Sequence, residues 1–474
     1  MSSNDDDRTG DDRKNGDDGR GEEPFHPLGT EAEDRYEAML EEGEYDAELG
    51  MEMAKDAMAL TKGELSESEF YDRHHEAILE EFGEDDRPMA ERVESAREEG
   101  RLEGALSRLG ADDESRRAVM KKMGAGAGAL GLGAFTATDD GTEADPSVAA
   151  QDDDADDTAD GDDVQWGMAL DLESCDGCLS CVVACNAEHN WNEGANWMYI
   201  LAYDDGTVES PEPEQADTAR DFNYLIRPCQ HCTDAPCEKV CPTTARHTRE
   251  DGGLVLTDYD VCIGCRYCQV ACPYGVNYFQ WDDPEVPDEE LNEDMIYDDR
   301  DRWVSSRGPR GVMEKCIFDP ARQDGQMGED MVGTTACEDA CPPGAIQFGD
   351  MNDPDSDPRQ YLENVPLARA REQAPDDDDE LQEAIAILDG DEEPDEMDEE
   401  DAMELLEAEF GDDGSRFKLL EEFNTNPNVT YIGNEPGANA EQVEGPVAYA
   451  DVGQVDNRKT VLDEKTVGFN ELSL

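Results

Sequence analysis

Apolar and polar positions follow two periods along the chain. Between residues 30 and 110 apolar residues recur at helical spacing. Phe70, Ile78 and Phe82 share one helix face, and Ser66-x-x-Glu69 ahead of them is a capping-box signature. Met89, Val93, Ala96, Leu102 and Leu106 predict another amphipathic helix. From Val164 onward the segments shorten. Val164 to Leu172, Phe222 to Arg227, Leu254-Val255-Leu256 and Ala345 to Phe348 read as strands, the third following an Asp251-Gly252-Gly253 turn. Two acidic insertions, 283–300 and 372–414, interrupt this region. The second carries Leu381, Ile385, Leu388 and Met403, Leu406, Phe410 at amphipathic spacing. These are either short helices docked on the core or a solvated loop, and the loop is the simpler expectation. No run of about 20 apolar residues is present, so no membrane-spanning helix is predicted.

Charge changes the picture most. The 474 residues carry 123 Asp and Glu against 37 Lys and Arg, a formal net charge of −86. Self-repulsion on that scale calls for screening by salt. Acid residues are spread through every segment, so the composition resembles that of proteins from extreme halophiles rather than one acidic docking face. With no basic stripe, nucleic-acid binding is not expected.

The 15 cysteines fall into four groups and leave none over. Three groups are complete: Cys175-x2-Cys178-x2-Cys181-x3-Cys185, Cys229-x2-Cys232-x4-Cys237-x3-Cys241-Pro242, and Cys262-x2-Cys265-x2-Cys268-x3-Cys272-Pro273. The fourth is Cys316, then Cys337-x3-Cys341-Pro342. This is the spacing of bacterial-type [4Fe–4S] sites, in which three close cysteines face one cluster and the fourth, expected in the first turn of a following helix, ligates the other cluster of a pair. Structural zinc favours separated CxxC pairs, and an odd count of clustered cysteines suits no disulfide framework. The fold expected is α+β, tandem two-cluster ferredoxin modules with an N-terminal helical extension and acidic insertions, stabilised by metal ligation more than by a large apolar core.

The fourth group is one ligand short. Asp319 stands where a second cysteine would fall. Asp319 could ligate one iron of a [4Fe–4S] cluster, that iron could be lost to leave [3Fe–4S], or the site could be degenerate. A carboxylate is harder than a thiolate, which favours loss of the iron.

The array resembles the four-cluster iron–sulfur subunits of the complex molybdoenzymes, the electron-transfer subunits of dimethyl sulfoxide, polysulfide and tetrathionate reductases and formate dehydrogenase. The resemblance covers roughly 164–365 and resumes near 416–433. It rests on stretches such as Cys229-Gln230-His231-Cys232-Thr233-Asp234-Ala235-Pro236-Cys237, Cys262-Ile263-Gly264-Cys265-Arg266-Tyr267-Cys268 and Ala340-Cys341-Pro342-Pro343-Gly344-Ala345-Ile346. It implies four ligand sets. The first is Cys175, Cys178, Cys181 and Cys341. The second is Cys229, Cys232, Cys237 and Cys272. The third is Cys262, Cys265, Cys268 and Cys241. The fourth is Cys316, Cys337 and Cys185, with Asp319 in question. Expected cofactors are three [4Fe–4S] clusters plus one [3Fe–4S] or Asp-ligated [4Fe–4S] cluster. Implied partners are a molybdopterin catalytic subunit and a multi-spanning, quinone-reactive membrane subunit, with this chain carrying electrons between them and not itself catalytic. A free-standing polyferredoxin, or a subunit of a hydrogenase or quinol-oxidising complex, is the alternative.

The expected organisation is an acidic helical extension at 1–114, a twin-arginine-like signal at 115–150, an acidic linker at 151–163, the four-cluster domain at 164–365, an acidic insertion at 366–415 and a C-terminal tail at 416–474. Ser115-Arg116-Arg117-Ala118-Val119-Met120-Lys121, followed by a Gly- and Ala-rich apolar run, resembles a twin-arginine export address. It implies a membrane-associated complex on the extracytoplasmic face, the alternative being cytoplasmic. His74 and His75 read as exposed helix residues. For His189, His231 and Arg266 a hydrogen bond to cluster sulfur, a partner contact and a plain surface role are all open. Trp191, Trp197, Tyr224, Tyr267, Tyr274, Tyr278, Phe279, Trp281 and Phe318 read as packing that keeps water from the clusters.

Overall fold

The computed structural model describes residues 24–83, 164–192, 194–205, 222–291, 296–391, 397–437 and 440–456. The twin-arginine-like segment, the acidic linker and the helix expected over Met89–Leu106 lie outside them.

Three helices open the described chain: α1 (Thr30–Glu41), α2 (Ala47–Thr61) and α3 (Glu67–Phe82). Asp46 caps α2 by accepting the Leu49 amide at 3.0 Å. Ser66 and Glu69 close the expected capping box on α3. Phe70 and Ile78 are buried as the spacing predicts. His74 is a correction: it is 3% exposed and hydrogen-bonds Asp56 at 2.8 Å. A buried imidazole needs a polar partner, and Asp56 lies on the neighbouring helix.

These helices share one apolar core with the cysteine-rich region. Gly50 of α2 lies flat on the Tyr267 ring, where an added Cβ would meet it at 2.5 Å. The Tyr267 hydroxyl donates to the Asp46 carbonyl at 2.6 Å, and the His26 ring reaches the Cys272 carbonyl at 3.2 Å.

The cysteine region is built from small sheets and one-turn helices. Its elements are β1 (Trp166–Asp171), α4 (Ser180–His189), β2 (Tyr199–Asp204), β3 (Asn223–Arg227), α5 (Pro236–Lys239), β4 (Arg246–Thr248), β5 (Val255–Thr257), α6 (Tyr267–Val270), β6 (Tyr278–Phe279), β7 (Met313–Glu314), α7 (Pro320–Gln323), α8 (Ala336–Asp339) and β8 (Ile346–Asp350). All four expected strands are present. The tail contributes β9 (Arg416–Phe417), β10 (Val429–Ile432) and β11 (Glu441–Val443). One sheet runs β8-β1-β10-β9, with β1 antiparallel to β8 and parallel to β10. A second runs β11-β2-β3. The tail therefore completes both sheets.

The second acidic insertion is a correction. After α9 (Asp357–Glu363) and α10 (Val365–Gln373), the insertion forms two helices instead of a solvated loop, α11 (Asp379–Leu388) and α12 (Glu399–Phe410). Leu381, Ala384, Ile387, Ala402 and Leu406 pack with Leu367 and Ala370 in a separate apolar cluster. Acidic caps start them: Asp378 accepts the Leu381 amide and Asp398 the Asp401 amide. High charge favoured the loop, but the apolar stripe finds its cover in Leu367 and Ala370 of α10. Arg369 fastens α10 to β1 through a buried pair with Asp171, at 2.6 and 3.0 Å. Among the described residues no helix is long and apolar enough to cross a membrane.

Candidate iron–sulfur sites

Each cysteine group uses the same local geometry. The residue two before the third cysteine or the one before the second is held at positive φ: Gly177 and Leu179, His231, Gly264 and Arg266. That turns the backbone so that successive sulfurs converge on one side. The third cysteine, Cys181, Cys237, Cys268 or Cys337, is then the second residue of a helix: α4, α5, α6 or α8. The fourth cysteine comes four residues later. In α4 it stays within the helix, while in the other three it follows the last turn, which corrects the expectation of a first-turn position. Four residues of helix advance about 6 Å, so the third and fourth cysteines of a group serve neighbouring sites.

The cysteines converge as four sets. Cys175, Cys178, Cys181 and Cys341 line one cavity, with Ile200, Ile226 and Ile346 closing it. Cys241, Cys262, Cys265 and Cys268 line another. Cys185, Cys316 and Cys337 line a third, together with Asp319. The remaining set, Cys229, Cys232, Cys237 and Cys272, is seen in mutual electrostatics: after burial, Cys229 and Cys272 raise the pKa of both Cys232 and Cys237.

All fifteen thiols are free of disulfides. Burial, then Cys175 and Cys341, push Cys181 well above the ordinary thiol range. Burial, then Asp319 and Cys316, do the same to Cys185 and to Cys337. Burial takes Cys262 to about 11, Cys341 to about 11 and Cys316 to about 12. Convergent thiols in dry surroundings that oppose one another's ionisation form a site completed by a positively charged centre binding several thiolates. Three all-sulfur sets of four fit a cubane cluster.

Asp319 occupies the structural position of a cysteine. Phe318 and Asp319 have φ of 58° and 51°, so the loop keeps the turn that precedes the second cysteine in the other groups. The carboxylate is 7% exposed and clamped on both oxygens. His189 Nε2 lies 2.6 Å from Oδ1, and the Ala336 amide donates to Oδ2 at 2.7 Å. Arg322 stands 3.9 Å away and is itself held by Glu188 at 2.8 and 2.6 Å. His189, with its other ring nitrogen 3.2 Å from the Ser305 carbonyl, keeps the Asp319 carboxyl below its usual range against the opposing effect of burial.

The flanking residues depart from a surface role. His189, His231 and Arg266 are 3%, 0% and 5% exposed. His231 stacks on Phe318 with centroids 3.8 Å apart, accepts the Val255 amide at 3.0 Å and donates through Nε2 to the Cys316 carbonyl at 3.1 Å. It therefore joins the second loop to the fourth. Arg266 lies over Phe279 and Trp281, 4.9 Å from each ring. No imidazole donates to a cysteine sulfur among the described residues; Trp191 does so to Cys185 at 3.4 Å, and Arg246 to Cys268 at 3.6 Å. Arg246 and Lys315 were missed by sequence reasoning. The available signal was a cation within five residues of a cluster cysteine.

Fold and sites define an iron–sulfur electron carrier of the ferredoxin class. Residues 220–288 match the family described as a 4Fe-4S dicluster domain, and residues 26–90 match the N-terminal region of 4Fe-4S ferredoxin iron–sulfur binding proteins. The iron–sulfur cluster-binding subunit of menaquinone reductase from Nitratidesulfovibrio vulgaris is 40% identical over 213 residues, 40% of this chain and 78% of that protein. The arsenate respiratory reductase iron–sulfur subunit ArrB of Shewanella sp. is 35% identical over 220 residues, 42% of this chain and 87% of that protein. The protein NrfC of Escherichia coli is 30% identical over 206 residues, 44% of this chain and 74% of that protein. The chain belongs to the family of iron–sulfur electron-transfer subunits of quinone-linked, molybdoenzyme-type reductases.

Proposed function

We propose that the chain is the non-catalytic electron conduit of a membrane-associated respiratory complex, passing electrons between a multi-spanning, quinone-reactive subunit and a molybdopterin catalytic subunit. The continuity of the four sites carries this reading. Cys181 and Cys185 lie one turn apart on α4 and tie the first site to the fourth, as do Cys337 and Cys341. Cys237 and Cys241, and Cys268 and Cys272, tie the second to the third. His231 and Pro228 bring the second loop against the fourth cavity. The series is therefore first, fourth, second, third.

In this reading Cys175, Cys178, Cys181 and Cys341 hold the first cluster, Cys229, Cys232, Cys237 and Cys272 the second, and Cys262, Cys265, Cys268 and Cys241 the third, each [4Fe–4S]. Cys316, Cys337 and Cys185 hold a [3Fe–4S] cluster, because both Asp319 oxygens are engaged by His189 and Ala336. When bound, the clusters supply one-electron carriers. The protein's own residues fix the ligand loops and exclude water. The twin-arginine-like segment supports an extracytoplasmic location, reached after the clusters are built. The boundaries given above for the extension, linker and insertion are part of the same proposal.

The test is purification of the native protein from membranes at high salt, with mass spectrometry of its companions and a molybdenum assay. A molybdenum-containing subunit and a multi-spanning subunit are expected. A lone soluble iron protein would overturn the reading in favour of a free polyferredoxin.

A further inference from the structure

The N-terminal helices rest on the ligand loops themselves. His26 is buried, accepts the Leu28 amide at Nδ1 (3.1 Å) and points Nε2 at the Cys272 carbonyl (3.2 Å). The Tyr45 hydroxyl donates to the Ile263 carbonyl at 3.4 Å. Phe82 packs on both the Tyr45 and Tyr267 rings, with centroids at 5.4 and 5.9 Å. Tyr267 is wholly buried, donates to the carbonyl of Asp46, the N-cap of α2, and carries Gly50 on its ring. Lys239 donates to Glu67 at 3.0 Å. All of these contacts fall within the second and third cysteine groups, at Cys272 or at residues between two cysteines: Lys239, Ile263 and Tyr267. Lys62, 4.0 Å over the Phe423 ring, adds a contact to the tail.

The seat of the helices is a pair of ligand loops, not a sheet or a long helix. Gly264 and Arg266 hold φ of 68°, and α6, which carries Tyr267, is a single turn. One turn of helix is not stable by itself. Ile263, Tyr267 and Cys272 therefore keep their places only while the thiols around them are tied to a common centre. Whatever orders these loops favours docking, and docking favours their order by the same factor. The first set, on the loop before α4 and the turn after α8, makes none of the contacts above.

We propose that α1, α2 and α3 form a clamp that senses and holds the second and third sites. The helices dock when those two loops are loaded, slow the escape of what is bound there, and leave the first site untouched. An empty second or third site frees them. This rests on the reading of the cysteine sets as cluster ligands. The N-terminal extension is then a report of completed loading, carried on the same chain as the sites it reads.

The experiment is hydrogen exchange of the full-length holoprotein over 30–82, read by mass spectrometry, with an iron assay and thiol alkylation in parallel. Cys265→Ala together with Cys268→Ala, which removes two ligands of the third site, should raise exchange over the three helices about tenfold, while Cys175→Ala with Cys178→Ala at the first site should leave it unchanged. Gly50→Ala gives the reciprocal measurement. Ala is the better helix former, so this variant strengthens α2 by itself and spoils only its seat on Tyr267. It should speed iodoacetamide labelling of Cys262, Cys265 and Cys268 about tenfold and spare Cys175, Cys178 and Cys181. Helices that merely added bulk stability would move both sets alike. Exchange that rises equally in both double variants or in neither, or Gly50→Ala labelling that changes equally at both sets or at neither, would overturn the clamp. Should the cysteine variants not accumulate, Gly50→Ala decides, since it touches no cysteine. Wild-type iron too low for four clusters would instead overturn the cluster reading beneath it.

Discussion

The second and fourth sites share one loop plan and fill it differently. Both turn the chain through a positive φ before the second ligand position, His231 in one and Phe318 in the other, and both place a third cysteine second in a one-turn helix. At the second site that position holds Cys232, buried beside Cys229 and Cys272. At the fourth it holds Asp319, clamped by His189 and a backbone amide. The backbone does not need a thiolate to make the turn. One side chain therefore changes the donor set and the local charge while the scaffold stays the same.

Removing iron should do the most damage. The loops of both sites are stabilised by ligation, so a chelator under reducing conditions should unfold the cysteine-rich region cooperatively, read by far-UV circular dichroism. A region that kept its strands without iron would show that the sheets and the helical insertion suffice. Next comes His189→Ala, which leaves the Asp319 carboxylate buried without its main partner. The expected cost is about 3–5 kcal/mol, measured by denaturant unfolding of the holoprotein, with loss of the fourth cluster before the second.

Asp319→Cys should make the fourth site resemble the second. Iron content should rise by one atom per chain and the oxidised [3Fe–4S] EPR signal should vanish, at a stability cost of about 1–3 kcal/mol for stranding the His189 and Ala336 donors. A wild-type protein that lacks that signal yet holds the full iron of four [4Fe–4S] clusters would show that Asp319 is a ligand. The smallest effect belongs to Trp191→Phe. It removes the donor to Cys185 while keeping the ring, and should lower only the fourth site's potential, by the equivalent of about 0.5–1.5 kcal/mol. An equal shift at the second site would deny that the two are tuned separately.

The cysteine spacing marked out the four groups whose loops the structure brings together, because such loops are local and their turns need only a few residues. The strands at Val164 and Phe222 were legible by alternation, and the Ser66 cap by its motif. The helices over 379–410 were only half legible: their amphipathic spacing showed, but the charge favoured a loop, since the cover of the stripe, Leu367 and Ala370, comes from a separate element. His74 failed for the same reason, with its partner Asp56 lying 18 positions away. By itself, then, the sequence determined which residues are soft donors and where the chain turns around them. Tertiary structure decided what surrounds each donor set: His189 against Asp319 across 130 positions, Tyr267 beneath Gly50, and Arg246 against Cys268. Burial and charge act through space, so their contribution to each site existed only once distant segments had packed together.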